Sequence, residues 1–306
     1  MNEPRNDLRA GIWRLADPKI SLASFAGMFL AACFAAVDVG LHLGWLGLTV
    51  LGVFCVEVAK NASGEVIDFD SGTDLAVRED ERSPFSGGKR VLVDGLLTRR
   101  QTWAIAAIGF GAAIGIGLLI VGLRDSRVLL FGLPGMALAW YYHGGSLRLA
   151  YRGWGEIAVA LAYGPLVVLG TYFVQAGYLN ATLIHLSMIL GLLVAAFLWI
   201  NEFPDFRADL SAGKRNLVVR LGRERAALVY VVLVASAYGW LALLVLWEPH
   251  GRFVWPGLAG AVPAAFAALR LQAADDDVGR LAPAQAATLL SFLLMAAGAG
   301  LGYVLL

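Results

Sequence analysis

Charged side chains are scarce in this sequence: 24 Lys and Arg and 23 Asp and Glu are spread over 306 residues, of which 59% are hydrophobic. That balance excludes an ordinary soluble globular domain and points to a polytopic membrane protein. With a net charge of +1 and no basic tract interleaved with aromatics, a nucleic-acid partner is set aside. Only two cysteines occur, Cys33 and Cys55, both inside apolar runs and without metal-ligand spacing. No disulfide framework or thiolate metal site is expected from them. Met1 to Lys19 lacks a short apolar segment followed by a small-residue cleavage site, so no removable signal peptide is expected. A dinucleotide-binding loop is also missing. Gly109, Gly111 and Gly115 have the wrong spacing and lie in an apolar run, where glycine serves close helix packing.

What the chain has in quantity is apolar length. Stretches near 20 to 43, 46 to 60, 102 to 123, 128 to 142, 155 to 177, 181 to 200, 226 to 247, 254 to 270 and 285 to 306 predict an all-α membrane protein of about nine spans, at roughly 20 residues per crossing. The runs at 46 to 60 and 128 to 142 are short, and their helices are expected to continue into the polar residues that follow. Such segments suit the lining of a cavity, because polar groups at membrane depth need water or protein to face. Lys and Arg load the N-terminus (Arg5, Arg9, Arg14, Lys19) and alternate connections thereafter, leaving Arg124, Arg127 and Arg252 on the other side. The expectation is a multi-pass protein of the cell (inner) membrane, with its N-terminus and active site cytoplasmic.

Two acidic passages interrupt this pattern. In the second, Asn201, Asp205 and Asp209 recur every four residues, so a helix stacks them on one face. Pro204 lies between them and is expected to kink the helix and re-aim those side chains. The first passage holds Asn61, Gly64, Glu65, Asp68, Asp70, Gly72 and Asp74. Asp74 either continues the helical face or, if Gly72 breaks the helix, comes from a turn. A long polar connection follows from Leu75 to Arg100. Arg78 to Arg82 reads there as a solvated charge run, whereas Lys89 and Arg90 stand beside Gly87 and Gly88, where backbone N–H groups can approach an anion. Lys214 and Arg215 follow the second passage.

Two clusters of hard oxygen ligands with basic loops on one membrane face suit a diphosphate held through Mg²⁺, which makes it a good leaving group. If the departing carbon is allylic, the resulting cation needs a dry pocket with aromatic faces, and Tyr142 is one candidate. The ladder alone is equally compatible with a solvated helix end whose acids pair with Arg207, Lys214 and Arg215.

The two passages resemble the aspartate-rich motifs of the UbiA superfamily of intramembrane prenyltransferases. Asn201, Asp205 and Asp209, followed by Gly213, Lys214, Arg215 and Asn216, are similar to the form in its 1,4-dihydroxy-2-naphthoate polyprenyltransferase branch. Tyr142, Gly144, Gly145, Gly155 and Glu156 resemble a third block of that branch. The resemblance implies a single transmembrane prenyltransferase domain over 1–306, with helices around a central cavity under cytoplasmic cap loops. It implies Mg²⁺ as cofactor, a polyprenyl diphosphate donor, an aromatic acceptor and the lipid bilayer as partners. Asp68, Asp74, Asp205 and Asp209 would bind metal, with Asn201 assisting catalysis. Lys89, Arg90, Lys214, Arg215, Asn61 and Tyr142 would contact substrate.

Departures from the pattern are specific. Gly64 stands where the branch has Asn, with Asn61 one turn earlier as a substitute ligand. His143 and Ser146 stand for the usual Thr and Pro, and Arg148 for a second Pro. These bear on the acceptor, which is a naphthoate-like ring in quinone biosynthesis or else a phenol, a chlorin or a lipid. Gly64 also motivates a reading as a non-catalytic isoprenoid or quinone binder. Asp275, Asp276 and Asp277 have no basic partner cluster and read as a solvated turn, and Asp38 reads as a hydrogen-bond partner between helices near the outer face.

Overall fold

A computed structural model describes residues 7–273 and 278–305. Arg5 and the Asp275 to Asp277 run lie outside the described residues. The polar N-terminal segment, for which the sequence alone assigns no element, forms helix α1 (Leu8–Ala16), capped by the Asp7 side chain on Ala10 N–H. Its Leu15 is fully buried while Trp13 is exposed, the two-sidedness of a helix lying on a surface.

Eight stretches among the described residues are long and apolar enough to cross a membrane. They are α2 (Pro18–Asp38), α3 (Leu43–Asp70), α5 (Arg99–Leu123), the pair α7 (Gly155–Leu161) and α8 (Val167–Ala176), α9 (Ala181–Ser211), α11 (Arg223–Trp247), the stretch Gly251–Ala273 ending in α12 (Ala261–Ala273), and α13 (Val278–Leu305). The ninth expected span forms α6 (Leu129–His143), whose 15 residues fall short of the roughly 20 needed to cross. It ends at the Gly144 and Gly145 turn and does not extend into the polar residues beyond. Between α7 and α8 a wide turn over Ala162–Leu166 takes up Pro165, which has no N–H to continue a regular ladder.

Two helices set the site. At 28 and 31 residues, α3 and α9 are about 42 and 46 Å long, well over the hydrocarbon thickness. Their last turns therefore carry polar side chains past the apolar zone. Most of the apolar length of α9 is buried, packed against α7, α11 and α13. It runs through Pro204 without a break. Gly109 on α5 packs against α3, its ideal Cβ position 2.9 Å from Ala59 Cβ. Near the other end of the bundle Asp38 accepts hydrogen bonds from Tyr172 (2.6 Å), Asn180 (2.9 Å) and Tyr303 (2.9 Å), tying α2, α8, α9 and α13.

Candidate functional site

Gly72 decides how the first acidic passage is presented. Its φ of +81° stops α3 at Asp70, and the chain re-enters a short helical turn, α4 (Thr73–Ala76). Asp68 thus comes from the end of α3 and Asp74 from α4, where it is 4% exposed. Across from them the last turns of α9 carry Asn201, Asp205 and Asp209. All five side chains line one cavity of about 640 Å³.

Part of the long connection after α4 covers this cavity. Ser83 and Ser86 pair through their hydroxyls at 2.8 Å, and the chain then crosses the carboxylates at Gly87 and Gly88. Gly87 N–H approaches the Asp205 carboxylate. Gly88 has φ +74°, and a Cβ there would fall 2.4 Å from Asp74 Oδ1. Only glycine combines that backbone angle with that approach.

Each carboxylate has its own surroundings. Asp68 Oδ1 accepts from the Tyr151 hydroxyl at 2.6 Å, and Tyr151 also meets Ser71 Oγ at 2.7 Å. Tyr151 belongs to a single turn (Leu149–Tyr151) after α6, and its carbonyl accepts from Arg215 N–H at 3.0 Å. Arg220, on the short helix α10 (Leu217–Leu221), donates to the Arg152 and Arg215 carbonyls at 2.7 and 2.9 Å. This lattice links the segment behind the first cluster to the segment behind the second. Asp209 pairs with Lys214 Nζ at 3.3 Å and accepts from Asn216 Nδ2 at 2.7 Å. Asp205 Oδ1 and Asn201 Oδ1 are buried without a hydrogen-bond partner.

The basic residues divide. Lys89, Arg90 and Lys214 line the cavity. Lys89 is joined to Asp17 at 2.8 Å, and Arg90 donates to the Asp74 carbonyl at 3.3 Å. Arg215 is exposed and is not part of the cavity wall. Arg82, read from sequence as one of a solvated run, does line the cavity. Asn61 reaches the wall while donating through Nδ2 to the Leu15 carbonyl at 2.8 Å, which anchors α1. Tyr142 lies on the wall beneath Lys60, whose ammonium is 5.3 Å from the ring centroid.

Electrostatics outside the spans reflect a surplus of acid. Burial, then the charges of Asp68 and Glu65, push the Asp74 carboxyl up to about 8. Burial opposes the charge on Lys214, but Asp209, Asp68 and Asp205 outweigh it and hold the ammonium well above its ordinary range. Burial raises Asp17, and Lys89, together with Lys19 and Lys60, more than reverses it, leaving that carboxyl below its usual value.

Among the described residues no three His, Cys, Asp or Glu side chains form a ready-made metal cage. The donor set nonetheless fits a hard divalent cation shared with a ligand. Mg²⁺ is commonly held by one or two carboxylates plus phosphate oxygens, and the unpartnered Asp205 and Asn201 oxygens are available for that role.

Sequence reasoning missed Tyr151, Arg82, Lys60 and Glu202. Glu202 is 8% exposed on the cavity wall. Its position next to Asn201 on α9 was the available signal; for Tyr151 none existed, since 83 residues separate it from Asp68. Lys60, Tyr142 and Tyr163 also border a second, mainly apolar chamber of about 300 Å³ between α3, α5, α6 and α8, with Glu57 at its edge.

The pattern of the UbiA prenyltransferase family matches residues 25–293. The chain is similar to the 1,4-dihydroxy-2-naphthoate octaprenyltransferase of Bacillus subtilis, 29% identical over 77% of this chain and 73% of that one. The protein of the same name from Mycobacterium tuberculosis is 32% identical over 72% and 73%. In fold it is similar to a UbiA homolog from Archaeoglobus fulgidus bound to GPP and Mg²⁺, with TM-score 0.68, 17% identity, and coverage of 97% of this chain and 100% of that one. A UbiA homolog from Aeropyrum pernix gives 0.64, 19%, 95% and 97%.

Proposed function

The chain belongs to the UbiA prenyltransferase family, and from that premise we propose that it transfers a polyprenyl group from its diphosphate to a 1,4-dihydroxy-2-naphthoate-like ring in quinone biosynthesis. It is a prenyltransferase embedded in a membrane by many spans. The observation that supports the finer reading is the one cavity onto which Asp68, Asp74, Asp205 and Asp209 all open. Two relatives are named for naphthoate prenylation, and a structural neighbour carries GPP with Mg²⁺.

Asp68 and Asp74 would hold the donor's cations from one side, and Asp205 and Asp209, with Asn201, from the other. When bound, Mg²⁺ neutralises the diphosphate and makes it a better leaving group. Lys214, Lys89, Arg90 and Arg82 meet its oxygens; Arg215, being exposed, is left out. The donor's C1–O bond breaks with its electron pair going to the diphosphate. A ring carbon of the acceptor attacks the allylic C1, and the ring then loses a proton or, where that carbon bears a carboxylate, carbon dioxide. Tyr142 and Tyr163 offer aromatic surface beside this centre, and Asn61 holds the N-terminal helix over it. The apolar second chamber has room for prenyl tail. Residues 1–306 are read as one domain, its cavity mouth and N-terminus assigned to the cytoplasmic side of the cell membrane by the Lys and Arg bias.

Membranes containing the protein, given Mg²⁺, labelled polyprenyl diphosphate and a panel of acceptors, test this. Transfer to the naphthoate, lost in Asp205→Ala, is the expected result. Turnover only with a phenol, chlorin or lipid overturns the acceptor, and donor binding without transfer to any acceptor overturns the reaction.

A further inference from the structure

Two departures from the motif pattern meet in space. Gly64 lies on α3 one turn before Asp68, and a Cβ on it would fall 2.4 Å from His143 Nδ1 and 2.6 Å from Cε1. The imidazole at the end of α6 therefore fills the volume that any side chain at position 64 would need. The Tyr142 ring meets it edge-on at 4.7 Å between centroids. From there His143 Nε2 faces Asp68 Oδ2 at 3.7 Å. That is too long for a hydrogen bond, yet two bonds of about 2.1 Å each to one cation span it. His143 Nδ1 is buried without a partner, and both residues line the cavity.

We propose that His143 supplies, from the end of α6, a nitrogen donor to the cation held by Asp68, reaching it through the space that Gly64 leaves beside α3. The proposal rests on the reading of the carboxylates as a cation site. Imidazole is a poor ligand for Mg²⁺ and a good one for transition ions, so this site favours Mn²⁺ over Mg²⁺ more strongly than an all-oxygen site.

The test uses full-length protein in detergent with Mn²⁺ and inorganic pyrophosphate, read by pulsed electron paramagnetic resonance and by competition with Mg²⁺. The expected result is an imidazole ¹⁴N modulation on bound Mn²⁺. It disappears in His143→Thr and in the double variant Gly64→Asn with His143→Thr, and the double variant lowers the Mn²⁺ over Mg²⁺ preference by about tenfold or more. His143→Gln, which keeps bulk at that position, serves as the second variant if His143→Thr does not fold. A wild-type spectrum without ¹⁴N modulation, or one that persists in every His143 variant, overturns the proposal. Asp74→Asn, which removes a carboxylate from the same cluster as Asp68, separates the two levels. If it weakens Mn²⁺ binding while His143 has no effect, only the role of His143 fails; if it leaves binding unchanged, the cation site itself fails.

Discussion

Gly88 passes over Asp74 at a distance that leaves no room for a methyl group, its ideal Cβ position being 2.4 Å from Oδ1. Gly88→Ala adds both that clash and a left-handed backbone penalty of about 1 to 2 kcal/mol. The covering loop is expected to lift from the carboxylates. Affinity for a non-reactive polyprenyl diphosphate analogue falls by about tenfold or more, while acceptor KM stays unchanged. Titration calorimetry and steady-state kinetics check both.

Asp74 also sets a pH dependence. Unfolded, it titrates near 3.8; folded, burial and then Asp68 and Glu65 move it to about 8. The stability it contributes is complete below its unfolded value and is lost as pH rises through about 8. A cation must displace the same proton, so Mg²⁺ binding strengthens with pH up to that point. Metal-free Tm should fall between about pH 6 and about pH 9, and the gain in Tm from Mg²⁺ with pyrophosphate should be larger at the higher pH. A larger gain at the lower pH contradicts this.

Tyr151→Phe removes the hydroxyl that donates to Asp68 at 2.6 Å. A hydrogen bond to a charged group contributes about 1.5 to 3 kcal/mol. The expected outcome is a drop of about 10- to 100-fold in kcat/KM for the donor with little change in secondary structure by circular dichroism.

Arg124 donates to the Val174 and Gln175 carbonyls at 2.8 and 2.6 Å, closing the end of α8 away from the cavity. Arg124→Ala is expected to cost about 2 kcal/mol of stability and to lower Tm in detergent. Prenyl-transfer kinetics measured below that temperature remain those of the wild type.

Much of this arrangement was legible from residue order. The four-residue spacing of Asn201, Asp205 and Asp209 puts them on one face wherever the helix points, and polar residues at the end of an apolar run have only a cavity or an interface to face. A break at Gly72 was one of two readings open from residue order, and its left-handed backbone decides between them. What escaped depends on contacts between distant segments. No periodicity says that Tyr151 reaches Asp68, that Arg82 turns inward while Arg215 turns out, or that the polar start of the chain folds as α1 against α3. Gly64 and His143 were each visible as an oddity. Their fit emerges only when α3 and α6 are packed together.

Tyr151 gives its hydroxyl to one acidic cluster and its carbonyl to the segment behind the other. The turn it occupies acts as a latch with two bolts. Withdraw it, and both sides slacken together. The two halves of the chamber are thus tied through one residue, and a displacement of that turn reaches both acidic clusters at once.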